Sequence, residues 1–443
     1  MLDEAINGFL FAVIRSLKNI KTSIDEEAGT SLMYTHVCGK VWEMKYSANE
    51  IIQYVQEEDI KFIRLSFCDV FGNQKNIAIM PCELKKAFEY GIGIDASSIT
   101  GFGDEMKSDL FLHPDADTLA LLPWRPEHGG VIRLYCGISR PDGTPIECDT
   151  RTFLKKAVET AKSKGYSFNF GSELEFYLFK LDDDGNPTLV PHDHAGYMDI
   201  APEDKGENVR REICLTLEQM GIRPTSSHHE IGPGQNEIDF RHSDALNAAD
   251  NAMTFKTVVK TIAQRNGLYA DFSPLPLKDT PGNGFHINVS MEPSDDDTIR
   301  HMLAGILDKV EDMTLFMNPV RESYLRLGHN RAPKYISWSH QNRSQLIRIP
   351  AVMDENKRAE LRSPDPLANP YLAFGLMIYA ALNGLENKLE LPEPADVNFF
   401  KADKNTLGKY QQLPDSLDLA RQIASNSDFI NKYVPKEILD LYC

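Results

Sequence analysis

The chain has 443 residues, 42% of them hydrophobic and 25% charged, an ordinary globular balance that argues against wholesale disorder and is long enough for two or three domains. Lys and Arg number 47 against 65 Asp and Glu, and the resulting net charge of −18 repels nucleic acid and anionic membrane while leaving carboxylates to hold divalent cations. Seven scattered cysteines without a CxxC pair speak for reduced thiols, against a disulfide framework or a zinc knuckle. The apolar run Gly8–Ile14 is too short to span a bilayer and follows Asp3 and Glu4 instead of a basic segment, so no membrane association and a cytoplasmic protein are expected.

Residues 1–45 read as an atypical extension. Leu2–Lys21 predicts an amphipathic helix, residues 25–40 show little periodicity, and Met44 reads as an alternative start that would make what precedes it dispensable for assembly. From there the signals are dense. Ser47 caps a helix running to about Glu57, Lys61–Val70 alternates like a strand, and Phe71-Gly72-Asn73 turns the chain into a second strand, Lys75–Met80. With strands near Thr118–Pro123 and Gly130–Cys136 this predicts a small α+β domain over 46–142, closed by the turn cluster Pro141-Asp142-Gly143-Thr144-Pro145. In 143–443 helices are expected at about Thr152–Lys164, Glu207–Met220, Ala245–Asn266, Asp296–Phe316 and Pro370–Asn387. Between them fall strands at Phe168–Lys180, His229–Phe240, Gly284–Met291, Gln345–Ile349 and Arg358–Leu361.

The strands carry the chemistry. In Phe168–Lys180 the residues Phe168, Phe170, Leu174, Phe176 and Leu178 share one face, and Glu173 and Glu175 stand side by side on the other. Taken alone, that pair is more simply a solvated polar face. The pattern recurs: His228–Phe240 sets Glu230 and Glu237 on either side of a Gly-Pro-Gly bend, Gly284–Ser290 alternates Phe285, Ile287 and Val289 with His286, Asn288 and Ser290, and Ala359 and Leu361 oppose Arg358, Glu360 and Arg362. Four such strands could line one cleft, with oxygen ligands and one histidine suited to Mg²⁺ or Mn²⁺ and enough carboxylates for two ions. Arg326, Arg343, Arg348, Arg358 and Arg362 crowd one short segment of an acidic chain. Structural ion pairs account for about half of such a cluster, and bidentate binding of an anion for the rest. Neither GxxxxGK[ST] nor GxGxxG occurs, so any nucleotide is held through metals and arginines. His228 and His229 are read as nucleotide contacts or as supports of Glu230, and Trp124 and Trp338 as packing.

These residues resemble a known family. Ile94-Asp95-Ala96-Ser97-Ser98-Ile99, Gly171-Ser172-Glu173-Leu174-Glu175-Phe176, the His228–Phe240 segment, Gly284-Phe285-His286, Asn342-Arg343-Ser344 and Arg358-Ala359-Glu360-Leu361-Arg362 with Pro366–Leu372 are similar, in this order, to the motifs of type I glutamine synthetase. The resemblance implies an α+β fold: an N-terminal β-grasp domain and a catalytic domain with a curved antiparallel sheet flanked by helices. It implies a double-ring dodecamer with active sites between neighbouring subunits, and an ATP-dependent ligation of glutamate and ammonium through a γ-glutamyl phosphate with Mg²⁺ or Mn²⁺. By the same resemblance Glu175, Glu230 and Glu237 hold a first metal, and Glu173, His286 and Glu360 a second. Asp95, from the neighbouring subunit, binds and deprotonates ammonium. Arg326 and Gly282 contact glutamate, Arg343 and Arg362 the transferring phosphate, and Ser290, Arg348 and Arg358 the nucleotide.

The sequence also departs from that pattern. Arg326-Leu327-Gly328-His329-Asn330-Arg331-Ala332-Pro333 is one residue shorter than the family's flap, and Arg331 stands where the family has glutamate. Pro281-Gly282-Asn283-Gly284 replaces an Asn-Gly-Ser-Gly run, and Asn398-Phe399-Phe400 lacks the tyrosine that adenylylated members modify. Three readings follow: glutamine synthesis with a differently built flap, γ-glutamyl ligation to another amine, or a regulatory oligomer that binds nucleotide or glutamate without turnover. The six metal-ligand positions and the phosphate arginines argue against the third, and an active ATP-dependent ligase is expected, with glutamine synthesis as its reaction.

Overall fold

Ser47 starts the first helix as its sequence dictates. In a computed structural model that describes residues 46–103, 106–125, 129–351 and 358–443, its hydroxyl accepts the Glu50 amide and the Glu50 carboxylate accepts the Ser47 amide at 2.7 Å, a reciprocal cap for α1 (Ala48–Glu57). The helix expected at Leu2–Lys21 and the alternative start at Met44 lie outside the described residues. β1 (Ile60–Cys68) and β2 (Gln74–Ile79) form the expected antiparallel hairpin. Its turn is tied by Asp69, whose carboxylate accepts the Phe71 and Asn73 amides, and Gly72 sits at φ 79°, a conformation glycine adopts without strain.

Three elements then appear that the sequence did not announce: α2 (Leu84–Tyr90), β3 (Ile92–Asp95) and β4 (Asp109–Pro114). All are short, and β3 alternates only between half-buried and exposed positions, too weak a period to read. After β5 (Ala120–Leu121), the long β6 (Gly130–Ser139) returns beside β1 in parallel, giving the order β2-β1-β6-β4-β3. Ile63, Leu65, Ile132 and Leu134 turn inward, while Arg64 and Arg133 stand level on the other face.

The second sheet is built around one strand. α3 (Thr150–Ser163) leads into β7 (Ser167–Leu181), followed by β8 (Pro187–Pro191), α4 (Glu207–Gln219), β9 (Pro224–His229), β10 (Gln235–Phe240), β11 (Ser243–Asp244), α5 (Ala245–Arg265) and β12 (Leu268–Asp271). Then come β13 (Phe285–Glu292), α6 (Asp296–Met317), α7 (Arg321–Arg326), β14 (Trp338–His340), β15 (Ile347–Ile349), β16 (Ala359–Leu361) and α8 (Pro370–Asn387), with short helices closing the chain between Lys404 and Tyr442. The curved sheet runs β14-β15-β16-β13-β7-β10-β9, antiparallel except for β14 and β15, and the length of β7 lets β8, β11 and β12 pair with it as well. The segment expected as His229–Phe240 is two strands, because the bend at Gly232-Pro233-Gly234 folds β10 back onto β9.

The apolar face of β7 packs on helices. Phe170 stacks on Phe374 of α8 at 4.4 Å between ring centres, and Phe176 meets Phe255 of α5 edge-on at 6.2 Å. α6 and α8 cross where Gly305 faces Gly384; a Cβ on either would strike a carbonyl of the other helix. With this face sealed, the polar residues of β7, β10 and β13 can only turn into the opposite concavity. Among the described residues no helix is long and apolar enough to cross a membrane.

Candidate active site

Strand register assembles the carboxylates. On β7 and β10, Glu175 lies opposite Glu237 and Glu173 opposite Asp239; on the other side of β7, His286 of β13 lies opposite Glu173. Like charges placed directly across a ladder repel, so this arrangement costs stability unless a cation joins it. Glu173, His286 and Glu360 offer ligand atoms within 4.8 Å of one another, as do Glu175, Glu237 and His286, and His228, Glu230 and Glu237. The set expected for the second metal is therefore together. The set expected for the first is spread over two groups that share Glu237, with Glu230 beside His228.

The electrostatics agree with a cation site. Burial raises the Glu237 carboxyl well above its ordinary range, and the charges of Asp239, Glu175, Glu173 and Glu230 push it the same way. Burial and Glu173 likewise raise Asp239 to about 6. Glu173 behaves oppositely: burial opposes its charge, but hydrogen bonds from His286 and Asn288 and the charge of Arg348 bring it down to about 2. Hard oxygen donors with one imidazole, Glu173 among them held ionised, fit Mg²⁺ or Mn²⁺.

A cleft of about 260 Å³ opens over these groups. Its wall carries Glu173, Glu175, Glu230, Glu237 and His286 together with Gly282, Arg326, Arg343, Arg348 and Arg362. Arg348 and Arg362 both bind the fully buried Glu360, Arg362 through Nη1 at 2.8 Å to Oε1, so the ion-pair reading holds for those two. Arg326 is 3% exposed and donates to the Ser363 carbonyl at 2.8 Å. Gly282 is packed so closely against the Arg326 side chain and the Pro274 carbonyl that no larger residue fits there. Four expected residues stand outside this wall: Glu360, bound to Arg348 and Arg362, and Ser290, Arg358 and Asp95. Ser290 pairs with Asn169 further along β13; Arg358 donates Nε to Asn288 Oδ1 at 3.0 Å, and Asn288 in turn donates to Glu173. Asp95 ends β3 in the first domain, exposed, its Oδ1 accepting the Ser97 amide.

The flap segment reaches the cleft. Gly328 at φ 85°, Asn330 at 43° and Arg331 at 72° turn the chain tightly, and Asn330 donates to the Thr280 carbonyl at 3.0 Å. The Arg331 guanidinium sits 5.5 Å over the Tyr197 ring, and its carbonyl faces Arg362 Nη2 at 3.5 Å. Arg331 thus brings a positive charge to the mouth. His228 lines the cleft, whereas His229 is fully buried, bonded to the Glu230 carbonyl and to Asp193 Oδ1 at 2.8 Å, and so braces the strand end that presents Glu230. Trp338 donates to the Pro392 carbonyl within the packing.

Sequence reasoning missed Asp239, Gln235 and Tyr197. Asp239 was legible as the next outward residue after Glu237. Gln235, whose amide donates to Glu175, the Gly282 carbonyl and Asn283 Oδ1, and Tyr197 become significant only through tertiary contact.

Fold and cleft together define an α+β protein in which a carboxylate–histidine cluster able to hold a cation shares one cleft with a set of arginines. The family described as "Glutamine synthetase, catalytic domain" matches residues 147–443, and "Glutamine synthetase, beta-Grasp domain" matches 59–141. Glutamine synthetase of Clostridium saccharobutylicum is 45% identical over 80% of this chain and 84% of its own, and that of Staphylococcus aureus 41% identical over 90% and 93%. The solved ADP complex of GmaS is similar in structure, with a TM-score of 0.80 at 26% identity over 88% of this chain and 93% of that one. The chain belongs to the glutamine synthetase family.

Proposed function

We propose that this protein is an ATP-dependent glutamate–ammonia ligase that forms glutamine through γ-glutamyl phosphate. The observation that carries the reading is the ladder of carboxylates and His286 facing Arg326, Arg343, Arg348 and Arg362 across one cleft. Arg326, with the backbone at Gly282, holds glutamate so that its side-chain carboxylate meets the γ-phosphorus of ATP. Arg343 and Arg362 take up the charge on the transferring group, and Arg348 and Arg358 orient the nucleotide with Ser290 at its far end. Glu175, Glu230 and Glu237, and Glu173, His286 and Glu360, would hold Mg²⁺ or Mn²⁺ ions, which would supply charge neutralisation during the transfer. Asp95 of an adjoining subunit accepts a proton from ammonium, and the ammonia so formed attacks the acyl phosphate, expelling phosphate.

Because Asp95 lies in the first domain and does not line this chain's own cleft, the reading requires assembly, which we take to be a dodecamer of two hexameric rings in the cytoplasm. It also takes 46–142 as the grasp domain and 143–443 as the catalytic domain. The test is glutamate-dependent phosphate release from ATP with Mg²⁺ or Mn²⁺, offering ammonium or a panel of small amines and identifying the product by mass. Glutamine as the main product supports the reading. Products from the amines alone, or no turnover with nucleotide still bound, would overturn it.

A further inference from the structure

A second cavity, of about 240 Å³, lies between the outer face of β1 and β6 and the helix α5, apart from the cleft. Arg64, Arg125 and Arg133 line it beside Trp124, and among the described residues no Asp or Glu does. Arg64 and Arg133 are level with each other on adjacent strands, a pairing that like charges disfavour. Arg133 is only 8% exposed: its guanidinium lies 3.9 Å over the Tyr135 ring and Nη1 donates to Thr254 Oγ1 at 3.1 Å, but its buried Nε has no acceptor. Arg64 donates to Asn76 Oδ1 at 3.2 Å, and none of the three arginines has an ion-pair partner among the described residues.

A buried guanidinium without a counter-charge is costly, and this chain has acids to spare. The neighbouring Arg151 shows the contrast. It lies 6.0 Å from the same Tyr135 ring yet is matched by Asp115 and Asp250. One buried arginine at this domain junction is neutralised by acids of the chain, and the other has no such partner among the described residues. The opposite wall offers hydroxyls rather than charge, with Thr257 of α5 donating to Gln74 Oε1 at 2.6 Å across the junction.

We propose that this cavity is a binding site for a small anionic metabolite, whose carboxylate or phosphate oxygens bridge Arg64 and Arg133, with Arg125 and the Trp124 indole at its rim. The ligand completes the charge balance of the domain junction and ties the first sheet to α5. Its binding is independent of the catalytic cleft.

Isothermal titration of the full-length assembled protein with inorganic phosphate, succinate and uncharged succinamide tests this. Saturable binding of phosphate or succinate but not succinamide is expected, with the stronger of the two naming the oxyanion class. Arg64→Gln should weaken it about tenfold, the scale of one lost charge-assisted contact, and Arg133→Met should do the same. The cleft variant Arg362→Gln should leave it unchanged, which separates this site from the ligase reading. Should Arg133→Met fail to fold, the half-exposed Arg64 decides. No saturable binding of either anion, binding indifferent to Arg64→Gln, or binding lost in Arg362→Gln would overturn the proposal.

Discussion

Glu360 has no exposed surface and faces Arg348, Arg362 and His286 at once. Removing it should do two things. Glu360→Ala leaves two largely buried guanidinium groups without their partner, and a loss of about 3–5 kcal/mol in unfolding free energy is expected by denaturant titration. Glutamine formation should fall by about 100-fold or more even where the protein is fully folded, since the arginines lose their aim as well as the cation its proposed ligand. A folded, active variant would remove Glu360 from the site. Arg331 is the other decisive residue. Its charge at the mouth opposes the approach of ammonium, so Arg331→Glu should raise kcat/KM for ammonium about tenfold at low salt, and the gain should shrink as salt screens it. An unchanged value would mean that Arg331 acts through its ring contact with Tyr197 and not through its charge.

At the scale of elements, the β7–β10 ladder makes stability depend on pH and on cations. Asp239 is raised from an ordinary 3.8 to about 6, and Glu237 is raised well above its ordinary value, so the folded chain holds protons that the unfolded chain releases. That contribution is fully present below the unfolded values and is lost as pH rises through about 6. Asp365, buried beside Arg326 and also raised to about 6, adds a fall of the same sign that no cation in the cleft should relieve. In chelator, Tm should therefore drop between about pH 5 and pH 7, and Mg²⁺ or Mn²⁺ should restore it by an amount that grows over the same interval. A cation effect flat in pH would contradict the ladder. The α6–α8 crossing gives a prediction of stability alone: Gly384→Ala forces the helices apart at His301 and Gly305 and should cost about 1–3 kcal/mol, with little change in KM for glutamate.

For the whole molecule, the proposed role of Asp95, which does not line this chain's cleft, requires that one subunit supply it to another. Asp95→Asn and Glu360→Ala, each inactive alone, should regain part of the activity when dissociated and reassembled together, because mixed oligomers contain sites with both wild-type groups. No regain, with mixed assembly verified, would place the whole site within one chain. Much of this molecule was legible beforehand. Period-two alternation marked β7, β13 and β16 and the outward Glu173, Glu175, His286 and Glu360, because a strand with one sealed face leaves its other residues a single direction. The long helices were equally legible, and in the structure Asp244 and Asn369 cap two of them. Short elements such as β3 escaped, having too few residues to establish a period. Register was the part that only tertiary structure decided. Which carboxylate stands opposite which depends on the bend at Gly232-Pro233-Gly234 and on pairings between strands far apart in the chain, and so do the shared role of Glu237, the support of Glu175 by Gln235, and the placement of Arg64 level with Arg133. Local sequence sets the direction of a side chain along its strand, but its partner across the sheet is chosen by long-range packing.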